Sequence, residues 1–477
     1  MSVSNKTKKV TSLCLFAVLI VLASTVAVGI KGYSRTKTVD IASFPEVELK
    51  ANDRILILAP HPDDEVLGCG GIIQKALKMH LPIHIAFLTY GDSNQWAFMI
   101  YRKHPVFFPK SVRAMGLIRH DEAIDAAQSL GVQKENLTFL GYPDFKTLNI
   151  WESHWGKALP AKGLLTEARA VPYKNAFRPG APYKGEEILK DLKTVLLDFK
   201  PTKIFVSHPG DFHPDHQALY LFTRVALWDL KNKIKPSIYT YLIHYKLWPR
   251  PLGPAPEHLL IPPQIFDKII PWQISKMNAT EIKTKLAAIK KHKTEFSSDS
   301  KYLLSFIRQN ELFGDFPTLD LAQGKESTPL VPYTGKENEP GELEQLNENE
   351  HVPIVGIEKK SAALDNDTLE LFVKLSRPIG KGVGVSVYVF GYKKDKSFAE
   401  MPKYRIQFDA IKHKIFNKGR RIAGKDIIVV RTLKEIKIRI PLSTLDDPER
   451  ILTDVNTYMG AVPLDWVSWR IIKPVKQ

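Results

Sequence analysis

Ile55-Leu56-Ile57-Leu58-Ala59-Pro60-His61-Pro62-Asp63-Asp64-Glu65 is the stretch on which the fold turns. The apolar run from Ile55 to Ala59 reads as a strand buried on both faces. A histidine and three carboxylates follow at its end, and Gly68, Gly70 and Gly71 come next. That pattern reads as a tight turn, with Cys69 inside it, leading into a helix. In open α/β sheets ligands sit at the carboxyl ends of strands, so acidic and imidazole groups there are placed for chemistry. A second run of the same kind comes much later: Ile204-Phe205-Val206-Ser207-His208, then His213-Pro214-Asp215-His216. Two such clusters, each at the end of an apolar strand, predict one metal site assembled from two strand ends.

Working outward, the pattern alternates. Strands are expected at 55–59, 83–89, 137–140, 204–207 and 237–243, with a helix at 71–79 between the first two. A further helix over 119–130 puts Ala123, Ala126, Ala127 and Leu130 on one side and ends at Gly131. Another over 186–199 is stopped by Pro201. Such alternation argues for an α/β fold with a mostly parallel sheet and flanking helices. Two stretches exceed a minimal unit, 146–184 and 248–271. Long loops of this kind are lids and binding walls as often as they are covers for apolar surface. The segment 323–351 is rich in Glu and Asn and reads as a linker. From 352 to 477 the apolar period becomes two, which predicts a β-sandwich that folds separately. Trp466 and Trp469 there are candidates either for binding a glycan or for packing on the rest of the chain. The expected catalytic unit is 51–322.

The chain has 477 residues, 44% of them apolar, and should fold around real cores. Lys and Arg number 68 against 51 Asp and Glu, a formal charge of +17. No zinc-finger spacing, aromatic-basic RNA signature or recognition-helix pattern accompanies that charge, so nucleic acid is excluded as the expected partner. An anionic membrane or envelope surface fits better. Cys14 and Cys69 are the two cysteines, too few for a disulfide framework. Residues 11–30 carry no charge and are long enough to span a bilayer. They read as an uncleaved anchor, with a cleaved secretory signal as the alternative. Residues 1–10 would be a cytoplasmic tail and 31–50 a tether, putting the catalytic part outside the cytoplasm. The even Lys and Arg counts on the two flanks give this orientation little support.

A catalytic zinc takes three protein ligands and leaves a position open. His61, Asp64 and His216 supply two imidazoles and one carboxylate for it. Asp63, beside a ligand but diverging from it in a tight turn, is then the general base. Glu65 is expected only to favour the helix N-terminus. His213, three residues from His216, is placed to stabilise an oxyanion or protonate a leaving amine, with Asp215 holding it protonated. His208, His120 and His292 have no such support and read as structural. Cys69 reads as a small apolar residue.

His61-Pro62-Asp63-Asp64-Glu65 and His213-Pro214-Asp215-His216 together resemble the two signature motifs of the LmbE/PIG-L-like deacetylases. Weaker matches are Gly91-Asp92, the helix from Arg119 to Gly131, and Gly141-Tyr142-Pro143-Asp144. The resemblance spans roughly 54–313 and leaves out the β-rich tail. It implies a Rossmann-like sheet and zinc-dependent removal of acetyl from N-acetylglucosamine units of glycoconjugates. The partner is then an N-acetylated sugar, with ferrous iron as the alternative metal. It assigns His61, Asp64 and His216 to the metal, Asp63, His213 and Asp215 to catalysis, and Arg119 to a polar contact with substrate. Two rivals remain. One is a non-haem iron oxygenase, which needs no base such as Asp63 beside its carboxylate ligand. The other is a membrane-anchored glycan-binding protein without activity.

Overall fold

The computed structural model describes residues 44–103, 107–323, 328–330, 355–460 and 462–475. The expected anchor at 11–30 and most of the expected linker lie outside the described residues. Among those described, no helix is long and apolar enough to cross a membrane.

The α/β part is built on β1 (Ile55–Ala59), β2 (Ile83–Thr89), β3 (Leu137–Tyr142), β4 (Lys203–Ser207) and β5 (Ser237–Tyr241). They form one parallel sheet in the order β3-β2-β1-β4-β5. Every residue of β1 and β4 is buried, as central strands covered on both faces should be. Helices α1 (Asp64–Lys78), α2 (Gln95–Arg102), α3 (Pro109–Leu130), α4 (Thr147–Ser153), α5 (Gly185–Phe199) and α6 (Pro214–Asp229) come between the strands. The hairpin of β6 (Gln273–Lys276) and β7 (Asn310–Phe313) encloses α7 (Ala279–Ile289) and α8 (Lys293–Leu304) in sequence. The strand order reverses between β1 and β4, so the crevice at their carboxyl ends is the switch point where ligands bind in such sheets. Both histidine clusters emerge there.

The glycines after His61 are not in a turn. Gly68, Gly70 and Gly71 lie inside α1, which begins already at Asp64. Glycine in a helix costs about 1 kcal/mol against alanine, and close approach explains it. A Cβ on Gly68 would sit 2.6 Å from the Tyr241 ring, and one on Gly71 would meet Met277 at 2.7 Å. The fully buried pair Lys285–Glu311, 2.8 Å apart, presses on the same helix. Glu311 accepts from the N–H groups of Gly71 and Ile72, while Lys285 Nζ donates to the carbonyl of Leu67. Cys69 is buried and free, as expected.

The remaining strands make a sandwich. One sheet, reading across, is β16 (Ile428–Arg431), β17 (Glu435–Pro441), β11 (Thr368–Leu375), β10 (Ile357–Asp365) and β9 (Thr328–Pro329). The other is β15 (Arg420–Ile422), β14 (His413–Asn417), β13 (Lys403–Phe408), β12 (Val383–Tyr392), β18 (Arg450–Met459), β19 (Val462–Val475) and β8 (Leu319–Ala322). β8 pairs in parallel with Ile472–Val475, and β9 pairs with Ser361 and Ala362. The sandwich therefore starts at 319, and the expected boundary at 322/323 cuts through it. Both strands are too short to announce themselves by periodicity.

The segment 352–477, expected to fold separately, packs against the α/β part. On β12, Val383, Val385, Val387 and Val389 fill the space between the two sheets. Tyr388, Phe390 and Tyr392, on the opposite face, join the core of the α/β part. The ring of Trp151 lies 5.1 Å from Phe398, 5.8 Å from Phe390 and 6.0 Å from Trp469. Lys403 Nζ sits 4.5 Å above Trp155 and 3.9 Å above Phe398. Tyr392 donates to Asp229 at 3.1 Å. Trp469 thus packs, and the 146–184 segment that carries Trp151 and Trp155 is the seat of the sandwich.

Candidate active site

His61 and Asp64 sit at the end of β1, His213 and His216 beyond β4. The two segments meet at one oxygen. Asp64 Oδ2 lies 3.1 Å from His61 Nδ1 and 3.1 Å from His216 Nε2, and also accepts the His61 backbone N–H at 2.9 Å. Burial would raise the Asp64 pKa, but His216 and His61 hold it well below the usual carboxylate range. Burial opposes a charged His216, yet Asp211 and Asp64 lift its pKa to about 9. These are paired opposite charges deep in a low-dielectric site, the electrostatic pattern a cation satisfies in place of protons. Neither ring nitrogen of His216, fully buried, has a well-directed hydrogen bond. Two imidazoles and a carboxylate fit zinc, which takes nitrogen and oxygen donors together.

Asp63 adopts φ 130° at the N-cap of α1, a conformation costing on the order of 1–3 kcal/mol in a residue other than glycine. The surroundings hold it there. Its N–H donates to Glu65 Oε2 at 2.9 Å, and Glu65 Oε1 lies 3.2 Å from His292 Nε2. Arg119, expected to touch substrate, is instead buried behind this turn. Its guanidinium donates to the carbonyls of Gly91 at 2.6 Å and Pro62 at 2.9 Å. It pairs with Glu295 at 2.7 Å and stands 3.7 Å from Asp63 Oδ2. Arg119 therefore braces the strained turn. Burial first, then the neighbouring Asp64 charge, raise the Asp63 pKa well above its ordinary value, with Arg119 opposing. That direction suits a proton acceptor working near neutral pH.

Asp215 also differs from expectation. Its carboxylate is 3.9 Å from His213 Nδ1. It is drawn instead to the N–H groups of Phe145 at 2.6 Å and Thr147 at 3.0 Å, to the Thr147 hydroxyl, and to His61 Nε2 at 3.2 Å. Asp215 thus orients His61. His213 Nδ1 accepts the Asp215 backbone N–H at 3.3 Å, so a neutral His213 carries its proton on Nε2 and can donate from there. Burial first, then the neighbouring imidazoles, push its pKa down. A protonated His213 held by Asp215 does not describe this geometry.

Three groups escaped the sequence reading. Asp211, fully buried, lies 3.0 Å from His216 Nδ1 and accepts the N–H groups of His213, Ile243 and His244 at 2.9 Å each. It stood five residues before His216, and an acid that close to a candidate ligand was a readable signal. Asp144 Oδ1 lies 3.2 Å from His61 Nε2, delivered by the Gly141-Tyr142-Pro143-Asp144 segment. His244 arrives from the loop after β5, with no motif around it. Burial holds it neutral, its pKa lowered to about 4 against the opposing charge of Asp211. His208, expected as structural, is buried against Phe266, Trp272 and Phe316.

Asp211 orients a candidate ligand through its far nitrogen, a role worth roughly 10–100-fold in metal affinity. Asp211→Asn is expected to weaken zinc binding by about that factor with secondary structure intact, as read by competition with a chromophoric chelator. Unchanged affinity would mean that helix α6 alone fixes His216.

The strand order places both histidine clusters in the switch-point crevice of an open parallel α/β sheet. Residues 56–227 match the family model described as PIG-L, GlcNAc-PI de-N-acetylase. A protein of Bacillus subtilis (strain 168), named "Probable N-acetyl-alpha-D-glucosaminyl L-malate deacetylase 2", is 25% identical over 186 residues. That match takes in 39% of this chain and 65% of the relative, so this chain spans about two thirds of the relative's length. Among solved structures, the chain is similar to N,N'-diacetylchitobiose deacetylase from Pyrococcus horikoshii. Identity there is 20%, coverage 55% of this chain and 82% of the other, and the TM-score 0.34. It is also similar to an A40926 pseudoaglycone deacetylase, with 17% identity, 55% and 96% coverage and a TM-score of 0.35.

Proposed function

We propose that this protein is a zinc-dependent N-deacetylase acting on a glucosamine-type sugar of a glycoconjugate. The observation that carries the reading is the meeting of His61, Asp64 and His216 at one buried carboxylate oxygen, with Asp63 next to it. His61, Asp64 and His216 would hold the metal, which when bound polarises an amide carbonyl and acidifies water near neutral pH. Asp63 accepts the proton of the attacking water. His213 donates from Nε2 to the oxygen on which charge develops, and Asp215 and Asp211 keep His61 and His216 in register. Arg119 and Glu65 hold the strained turn that aims Asp63.

Aromatic surface beside His213 supports a sugar as substrate. Phe145 leaves 40% of its surface exposed, in the left-handed conformation at φ 60°, with its ring 4.4 Å from that of His213. On the neighbouring Phe212 the ring of Trp466, from the sandwich, packs at 4.5 Å. The test is acetate release from a panel of N-acetylglucosamine-bearing lipids, polysaccharides and small glycosides. Activity should appear with zinc, vanish on chelation and return on zinc addition. A protein that binds zinc and these sugars but frees no acetate from any of them would be a glycan-binding module instead.

A further inference from the structure

The loop between β5 and the 248–271 segment turns a histidine toward the centre. Asp211 Oδ2 takes the N–H groups of Ile243 and His244 and also the Nδ1 of His216. One carboxylate therefore ties this loop to a candidate ligand. The His244 ring centroid stands 4.8 Å from that of His216 and 5.3 Å from that of His213. Tyr302 stacks on it, with a centroid distance of 5.9 Å and planes 13° apart, while the Tyr302 hydroxyl is engaged with the Ile243 carbonyl at 2.7 Å. The loop backbone and the tyrosine thus hold the imidazole in place. Asp64, His216 and His244 each present a ligand atom, all within 4.8 Å of one another, while His61 falls in a neighbouring group with His213 and His216. His216 Nε2 is fully buried, has no well-directed hydrogen bond, and lies 3.1 Å from Asp64 Oδ2.

We infer that His244 is a further protein donor to the metal, beside Asp64 and His216. The inference rests on the proposed metal centre but not on amide hydrolysis. Three imidazoles and one carboxylate make a nitrogen-rich set, which favours zinc and its neighbours over magnesium or calcium. Three protein ligands are usual at a catalytic zinc, but the ion sometimes expands to five-coordinate, so a donor added to the proposed set leaves room for water. Asp211 becomes the shared brace of two ligands, holding His216 through its ring and His244 through its backbone.

The full chain, stripped with chelator, would be titrated with Zn²⁺ against a chromophoric competitor and with Co²⁺ by visible absorption, in the absence of any sugar. His216→Ala is the control that should abolish binding. His244→Ala should weaken zinc by more than the roughly 100-fold that an outer-shell partner is worth and should change the Co²⁺ band. Added imidazole should restore the band. Metal-free melting curves report whether the loop survives the change, and His244→Phe, which keeps an aromatic ring against Tyr302, replaces the alanine variant if it does not. Zinc affinity and a Co²⁺ band unchanged in a folded His244 variant would overturn the assignment. A wild-type protein that takes up no zinc would instead overturn the metal centre itself.

Discussion

A chain ending at residue 350 is expected not to yield a folded catalytic unit. Trp151 and Trp155 would lose Phe390, Phe398 and Trp469 from around them. Aromatic side chains bury on the order of 150–250 Å² each. If half of that area on the two rings is covered by the sandwich, then at about 25 cal/mol per Å² the loss is roughly 4–6 kcal/mol. Net stability of a domain is itself about 5–15 kcal/mol. The same cut removes the strands that pair with β8 and the Tyr392–Asp229 bond. Trp469→Ala in the intact chain probes the seam more gently and should cost about 3–5 kcal/mol by large-to-small truncation. Thermal melting and limited proteolysis of both proteins decide the matter. A truncated chain that melts cooperatively and keeps its hydrolytic rate would show two independent domains.

That seam was partly written in the sequence. In Val383-Gly-Val-Ser-Val-Tyr-Val-Phe-Gly-Tyr392 valines occupy the odd positions and two tyrosines and a phenylalanine the even ones. Both faces of the strand are therefore apolar, and an outer strand of an independent sandwich would have one polar face. The acid-rich stretch before 351 drew attention away from this, because composition marks where a chain fails to fold and not which folded parts touch. The parallel sheet and the two histidine clusters were legible for a local reason: each is an apolar run followed directly by its chemistry. Arg119 and Asp215 were assigned through motif position, and motif position does not say which way a side chain points. Arg119 points into the protein because two backbone carbonyls and Glu295 await it there. His292, Glu295 and His244 come from segments without periodicity or motif, and only the packing of α8 and of the loop after β5 brings them to the turn.

Asp63→Asn is expected to leave zinc content unchanged while the deacetylation rate falls by roughly 10²–10⁴, the range for loss of a general base. The substitution keeps size and shape. It also keeps the N-cap geometry, since asparagine tolerates positive φ better than most residues. The backbone N–H bond to Glu65 Oε2 and the Arg119 contact to the Pro62 carbonyl do not involve the altered atoms, so the turn should hold. What disappears is the capacity to accept a proton beside the metal position. The loss should appear in kcat and kcat/KM together, because the proton moves only as the transition state forms. Glu65 is the nearest rival base, but it is fully buried, with its oxygens facing the Asp63 N–H and His292. Near wild-type turnover in Asp63→Asn would move the base elsewhere. A parallel fall in zinc content would make Asp63 a metal ligand.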